Sequence, residues 1–135
     1  PLNNEPLKIS QEYASHIMDS VYNNKNIKIN ANVMNNDLIT NLPKNCCVEV
    51  PCEINSKGCI PQKIGDLPEQ LSALMRTNIN VQILTAEAAI TKKREHIYHA
   101  ALLDPLTSSI LSIDEIYSMT DKLLEAHNDF LPIYN

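Results

Sequence analysis

Hydrophobic and polar positions follow two periods along this chain, and the switches between them mark its elements. From about Ser10 to Tyr22, Tyr13, Ile17 and Val21 recur four apart with Ala14 and Met18 beside them, the stripe of an amphipathic helix. The Asn23-Asn24-Lys25-Asn26 cluster ends it. Ile27, Ile29, Ala31 and Val33 then alternate with Lys28, Asn30 and Asn32, the period of a strand with one wet face. From Cys47 to Ile54, Val48, Val50, Cys52 and Ile54 share a face, and Asn55-Ser56-Lys57-Gly58 supplies the turn into Cys59-Ile60. That pattern predicts a hairpin. Pro51 and Pro61 lack a ladder donor, so the hairpin is expected at a sheet edge, or packed with its proline side free.

The remaining chain reads as helical. Asp66 and Glu69, with Pro68 between them, form a start signal, and no glycine or proline follows before Pro105. Leu71, Leu74, Val81, Leu84 and Ala88 line one face, and Met75, Ile79, Ile83, Ala86 and Ile90 another, which predicts a helix buried between layers. A second helix is expected from about Lys93 to Leu103, ending at Asp104 because the residue before a proline is biased out of the α region. A third starts at the Ser112/Glu115 capping box, with Leu111 placed to staple against Ile116 and a core face of Ile116, Met119, Leu123 and Leu124. The order helix, short strands, three helices defines an α+β fold, with helices packed on a small, mostly antiparallel sheet.

Composition bounds what such a fold can be. At 135 residues, 44% hydrophobic and 20% charged, the chain reads as a single domain over 1–135 that needs neither a disulfide framework nor a metal to fold. Sixteen acidic against eleven basic residues give a net charge of −5, the wrong sign for nucleic acid. Apolar runs such as Ala100 to Leu103 fall far short of the roughly 20 residues that span a bilayer. Asn3, Asn4, Glu5, Pro6 and Lys8 do not make a signal peptide, and the expected location is cytoplasmic. The opening residue is Pro1 instead of Met, as in a processed protein or a piece of a longer one.

Several constellations invite chemistry. Cys46, Cys47, Cys52 and Cys59 are soft ligands, but no C-x-x-C pair is present, so reduced, partly buried thiols are the favoured reading. A Cys52–Cys59 hairpin disulfide would require Cα atoms within about 7 Å. His96 and His99 stand three apart beside Glu95 with no third ligand nearby, which favours surface or capping histidines. Lys92-Lys93-Arg94 reads as a solvated helix junction whose basic groups complement the preceding helix end. Arg76, Thr77, Asn78, Asn80 and Gln82 interrupt the long apolar helix. Arg76, Asn80, Ile83 and Glu87 fall along one stripe, which is either a face toward a cleft or partner, or an internal network tying the helix to the Asn-rich loops. No G-x-G-x-x-G, P-loop, G-x-S-x-G or zincin motif occurs, and only Gly58 and Gly65 could form tight phosphate turns. Motifs alone indicate a binding or structural domain.

One ordered set of blocks adds more: Leu38-Ile39-Thr40-Asn41-Leu42-Pro43, Val48-Glu49-Val50-Pro51-Cys52, Gly65-Asp66-Leu67-Pro68, Arg76-Thr77-Asn78-Ile79-Asn80-Val81-Gln82, and Ala100-Ala101-Leu102-Leu103-Asp104-Pro105-Leu106-Thr107. Together they resemble the carboxy-terminal part of family 4 glycoside hydrolases, in the branch of α-galactosidases, α-glucosidases and α-galacturonidases. The resemblance runs from about Glu12 to Pro132 and implies a fold like the carboxy-terminal domain of lactate dehydrogenases. Met75, Met34 and the Cys46-Cys47 pair depart from the pattern.

The resemblance implies that the full-length parent is an NAD- and divalent-metal-dependent glycosidase, with manganese as the expected metal, one of the exceptions to two-carboxylate hydrolysis. In that family the cofactor oxidises the sugar at C3, elimination expels the leaving group, water adds and the hydride returns. The nucleotide loop, the metal ligands and the tyrosine base all lie upstream of the matched part. No catalytic, cofactor or metal residue therefore carries over to this chain; the four cysteines and Tyr13, Tyr22, Tyr98, Tyr117 and Tyr134 fall outside those motifs. Arg76, Asn78, Asn80 and Gln82 are the residues expected at a cleft or interface. The expected partners are an amino-terminal Rossmann domain and further copies of the chain. A sugar substrate would bind only the full-length protein. The alternative is a free-standing oligomerisation or binding module.

Overall fold

The structure is a computed structural model and describes residues 12–135. It has the expected α+β composition, with a three-stranded sheet and five helices among the described residues. The chain forms two compact units, one containing the described residues up to Val33 together with Val48–Lys63, the other Met34–Cys47 together with Ile64–Asn135.

In the first unit, α1 (Ala14–Asn23) precedes β1 (Ile27–Met34), and β2 (Cys47–Asn55) and β3 (Gly58–Pro61) form the expected hairpin. The expected helix start at Ser10 lies outside the described residues. Asn24, in the left-handed region at φ 50°, closes α1. The apolar stripe expected to anchor this helix is not what it buries: Tyr13, Met18 and Val21 are exposed, and Ser20 is the buried residue. The small Ser20 side chain lets the helix approach β2, and its hydroxyl donates to the Ile54 carbonyl at 2.8 Å.

The sheet order is β1-β2-β3, so β3 is an edge but β2, which carries Pro51, is central. The hairpin therefore lies at the sheet edge as expected, although Pro51 itself is on the central strand, and its tolerance there has a local reason. Cys52 pairs with Pro61, which places Pro51 opposite Gln62, one residue beyond the end of β3. Gln62 donates to the Pro51 carbonyl at 2.9 Å, and the missing proline donor falls where the ladder stops. Val48, Val50, Cys52 and Ile54 are all buried on one face, as the alternation requires.

The second unit begins with the loop 34–47, held by Asn35, whose side chain is fully buried. The loop runs beside residues 64–67: Ile39 bridges Gly65 in parallel, and Thr40 N–H donates to the Gly65 carbonyl at 3.1 Å. Gly65, at φ +88°, makes the turn that brings this segment alongside. Asp66 does not cap the next helix, contrary to its spacing from Glu69, because its carboxylate accepts from the Thr40 hydroxyl. Leu67 is held at both backbone groups by the Asn41 amide, at 2.8 and 3.0 Å. Helix α2 (Glu69–Thr91) consequently starts only at Glu69, with Pro68 as an extended cap residue.

Helix α2 is not buried between layers. Its buried residues are Ser72, Ile79 and Ala88, whereas Leu74 and Ile90 are 66% and 78% exposed. Within this unit α2 packs on α3 (Arg94–Leu103), and one neighbour covers one stripe. Lys92, left-handed at φ 58°, divides the two helices without a glycine. After Asp104 the chain enters α4 (Pro105–Ile110), a helix beyond the three expected in this part of the chain. Its signal is nonetheless present: Asp104 accepts from Thr107 N–H at 2.7 Å, and Pro105 occupies the first turn. Helix α5 (Ile113–Ala126) opens on the expected Ser112/Glu115 capping box. Its core face is rotated from the expected one: Ile116 and Thr120 are buried, and Leu123 is half exposed. Thr120 is tolerated there because its hydroxyl donates to the Ile116 carbonyl at 2.8 Å.

Candidate functional site

The long helix brings Arg76 and Asn80 together. They stand one turn apart, and the Arg76 Nε donates to the Asn80 Oδ1 at 3.3 Å. Asn78 and Gln82 are exposed on a second stripe, because two residues turn a helix by about 200°. The polar run is thus turned outward, not inward. Asn35 bonds the backbone of its own loop and Asn41 holds Leu67, so these amides do not make the internal network expected between the loop and the polar run. Arg76 forms no salt bridge with a carboxylate among the described residues. Burial pushes the nearby Cys46 thiol up from its usual range, and the Arg76 charge is a smaller influence in the opposite direction.

The loop beside this helix carries features that periodicity does not register. Asn36 and Asp37 both take positive φ, 41° and 67°, conformations that side chains other than glycine adopt at a cost. Asp37 is paired with Lys44 at 2.6 Å across the loop. The available signal was the run of turn-forming residues Asn35-Asn36-Asp37, which favour the left-handed region.

A second polar cluster joins α3 to α5. The Arg94 Nη2 donates to Asp121 at 2.7 Å and its Nε to the Tyr98 hydroxyl at 2.7 Å, while that hydroxyl donates to Asp121. Arg94 is therefore not simply a solvated junction residue. The Tyr98 hydroxyl and then Arg94 hold the Asp121 carboxyl below its usual range; Asp121 and burial push Tyr98 up. Tyr98 also stacks on Tyr117 at 4.6 Å between centroids. The carboxy-terminal residues close this end: Arg94 N–H donates to the Asn135 carbonyl, and Asn135 N–H to the Lys92 carbonyl, both at 2.8 Å. Lys92 lies 5.8 Å above the Tyr134 ring. Arg94, Asp121, Glu125, Leu131 and Tyr134 line part of an open groove of about 530 Å³.

His96 is half-buried, with its Nδ1 3.1 Å from the Thr91 hydroxyl, and His99 is exposed. No group of three or more His, Cys, Asp or Glu side chains among the described residues is placed to hold a metal ion. Gly58 lies in the hairpin turn and Gly65 beside Ile39, so neither opens a helix where a pyrophosphate could dock. These residues do not fit NAD or a catalytic metal. No helix among the described residues is long and apolar enough to cross a membrane.

Residues 2–107 match the family 4 glycosyl hydrolase C-terminal domain. The chain belongs to that family. It is 50% identical over 125 residues to the α-galactosidase of Bacillus subtilis (strain 168), aligning 93% of this chain with 29% of that protein. It is 32% identical over 130 residues to the α-galactosidase of Rhizobium meliloti (strain 1021), covering 96% of this chain and 26% of the other. Among solved structures, a 6-phospho-α-glucosidase from gut microorganisms, in complex with NAD and Mn2+, superposes with a TM-score of 0.80 at 19% identity, over 90% of this chain and 27% of that one. That last likeness concerns the fold. The family 4 C-terminal domain described here thus spans little more than a quarter of the relatives it matches.

Proposed function

We propose that this chain is the carboxy-terminal domain of an NAD- and divalent-metal-dependent glycosidase that hydrolyses O-glycosyl bonds by redox elimination, and that it is inactive by itself. The observation that carries this reading is the family match combined with its extent: similarity to an α-galactosidase covers 93% of this chain but 29% of the relative. An α-galactoside is the substrate class this favours for the full-length enzyme, with manganese as its metal. In this reading the oxidation, elimination and hydride return belong to an amino-terminal Rossmann domain, a division supported by the match reaching only 29% of the α-galactosidase relative.

In this reading the present chain contributes a face to that domain or to another copy of itself. That face is the side of α2 that carries Asn78 and Gln82, with the bonded Arg76 and Asn80 about half a turn away on the other side. Leu71, Leu74 and Met75, exposed on the same side as Asn78 and Gln82, favour a covered surface over a purely solvated one.

The test compares the isolated chain with a protein carrying the amino-terminal portion as well. Hydrolysis of a nitrophenyl α-galactoside is assayed with NAD and Mn2+, and NAD binding is followed by calorimetry. Activity and binding are expected only in the longer protein. Micromolar NAD binding by the isolated chain would overturn the division of labour, and a free-standing module would gain no activity from the addition.

A further inference from the structure

Cys52 and Cys59 occupy the two strands of the β2–β3 hairpin, with Cys52 opposite Pro61 and Ile54 opposite Cys59. Side chains alternate along a strand and align across it, so both thiols project from the same face. Gln62 donates to the Pro51 carbonyl, which makes 51/62 a hydrogen-bonded position and 52/61 the neighbouring non-hydrogen-bonded one, where side chains stand closer. The right-handed twist of a two-stranded ribbon draws together one diagonal of such a pair. Here that diagonal joins Cys52 to Cys59; burial and then the neighbouring Cys59 thiol push the Cys52 thiol up from its usual range.

The two differ in access. Cys59 is exposed, Cys52 is fully buried, and neither is bonded to another sulfur. Cys47 lies on the opposite, exposed face of β2 and Cys46 is buried ahead of that strand. Of the four cysteines, only this pair combines an accessible thiol with a shielded one across a tight turn.

We propose that Cys52 and Cys59 are a modification site, a dithiol that takes a reversible disulfide from small-molecule disulfides of the glutathione class. The Cys59 thiolate attacks one sulfur of the oxidant, forming a mixed disulfide and expelling one small thiolate, which takes up a proton. The Cys52 thiolate then attacks the Cys59 sulfur, forming the Cys52–Cys59 bond and expelling the second small thiolate. Two protein thiols are oxidised and one small disulfide is reduced to two thiols. The bond clamps the Asn55–Gly58 turn, and a reducing dithiol reverses it.

The test treats the fully reduced chain with oxidised glutathione, followed by intact-mass measurement and non-reducing peptide mapping. The wild-type mass is expected to fall by two hydrogens, with one Cys52–Cys59 cross-link that dithiothreitol removes. Cys52→Ala should stop at the mixed disulfide on Cys59, and Cys59→Ser, altered at an exposed position, should leave Cys52 unmodified. A wild-type chain that accumulates the Cys59 adduct, with Cys52 still alkylated after unfolding, would overturn the proposal. So would a first cross-link through Cys46 or Cys47. If Cys52→Ala does not fold, the wild-type map and Cys59→Ser still decide between these outcomes.

Discussion

Asn35 and Ile39 are tied to one another twice: the Asn35 Nδ2 donates to the Ile39 carbonyl at 2.9 Å, and the Ile39 N–H donates back to Oδ1 at 2.8 Å. The same amide donates to the carbonyls of Leu42 and Pro43 at 3.2 and 3.0 Å. Removing it strands buried backbone groups, each costing about 1–3 kcal/mol. Asn35→Ala is therefore expected to lower stability by about 2–4 kcal/mol, with the urea m-value unchanged. Asn35→Asp should be worse, since a carboxylate cannot donate to those carbonyls. A midpoint close to wild type for both variants would contradict this account of the loop.

The rotated face of α5 is testable by a pair of truncations. Ile116 is 2% exposed and Leu123 is 52% exposed. Ile116→Ala should cost about 2–5 kcal/mol, the usual range for emptying a packed site. Leu123→Ala should cost under about 1 kcal/mol, because little of its surface leaves water. Equal losses in chemical denaturation would show that the helix faces its neighbours differently.

The Arg94–Tyr98–Asp121 cluster predicts a pH dependence with two arms. Asp121 is held below its ordinary value of 3.8, first by the Tyr98 hydroxyl and then by Arg94, so its contribution is present above that value and lost as pH falls through the lower folded value. Tyr98 is raised above 10.0 by Asp121, so its contribution is present below 10.0 and lost as pH climbs through the higher folded value. Tyr98→Phe should flatten the alkaline arm and weaken the acid one, while Asp121→Asn should flatten both. Thermal melts across the pH range read this directly; an unchanged alkaline arm in Tyr98→Phe would refute it.

Gly65 offers a clean test of backbone conformation. At φ +88° an added Cβ meets nothing within 4 Å, so a penalty in Gly65→Ala comes from the backbone and not from a clash. The expected loss is about 1–2 kcal/mol. Gly65→Asn should recover part of it, because asparagine tolerates the left-handed region better. If alanine proves neutral in urea denaturation, the turn that sets residues 64–67 beside the loop is not held as described.

The elements legible in the sequence were those whose information is local. The β2–β3 hairpin could be read because alternation and turn chemistry coincide at Asn55–Gly58, and α5 because its capping box is written in Ser112 and Glu115. Helix α4 was equally local, through Asp104, Pro105 and Thr107, but an apparent stop at Pro105 masked a new start. The Arg76/Asn80 stripe on α2 could be read from helical spacing, whereas the outward turn of Asn78 and Gln82 emerged only from which side of the helix its neighbours cover.

By itself, the sequence determined the α+β order, the buried face of β2, the sites of the turns, and, through its ordered blocks, membership of the family 4 C-terminal domain. Periodicity and capping depend on neighbours along the chain, so they need no knowledge of distant contacts. The tertiary structure decided which apolar stripes are covered, why Asp66 bonds Thr40 instead of capping α2, and that Cys59 stays exposed while Cys52 is buried. Those outcomes turn on which surfaces and partners meet across the fold, and a one-dimensional pattern cannot choose among several equally apolar or equally polar candidates.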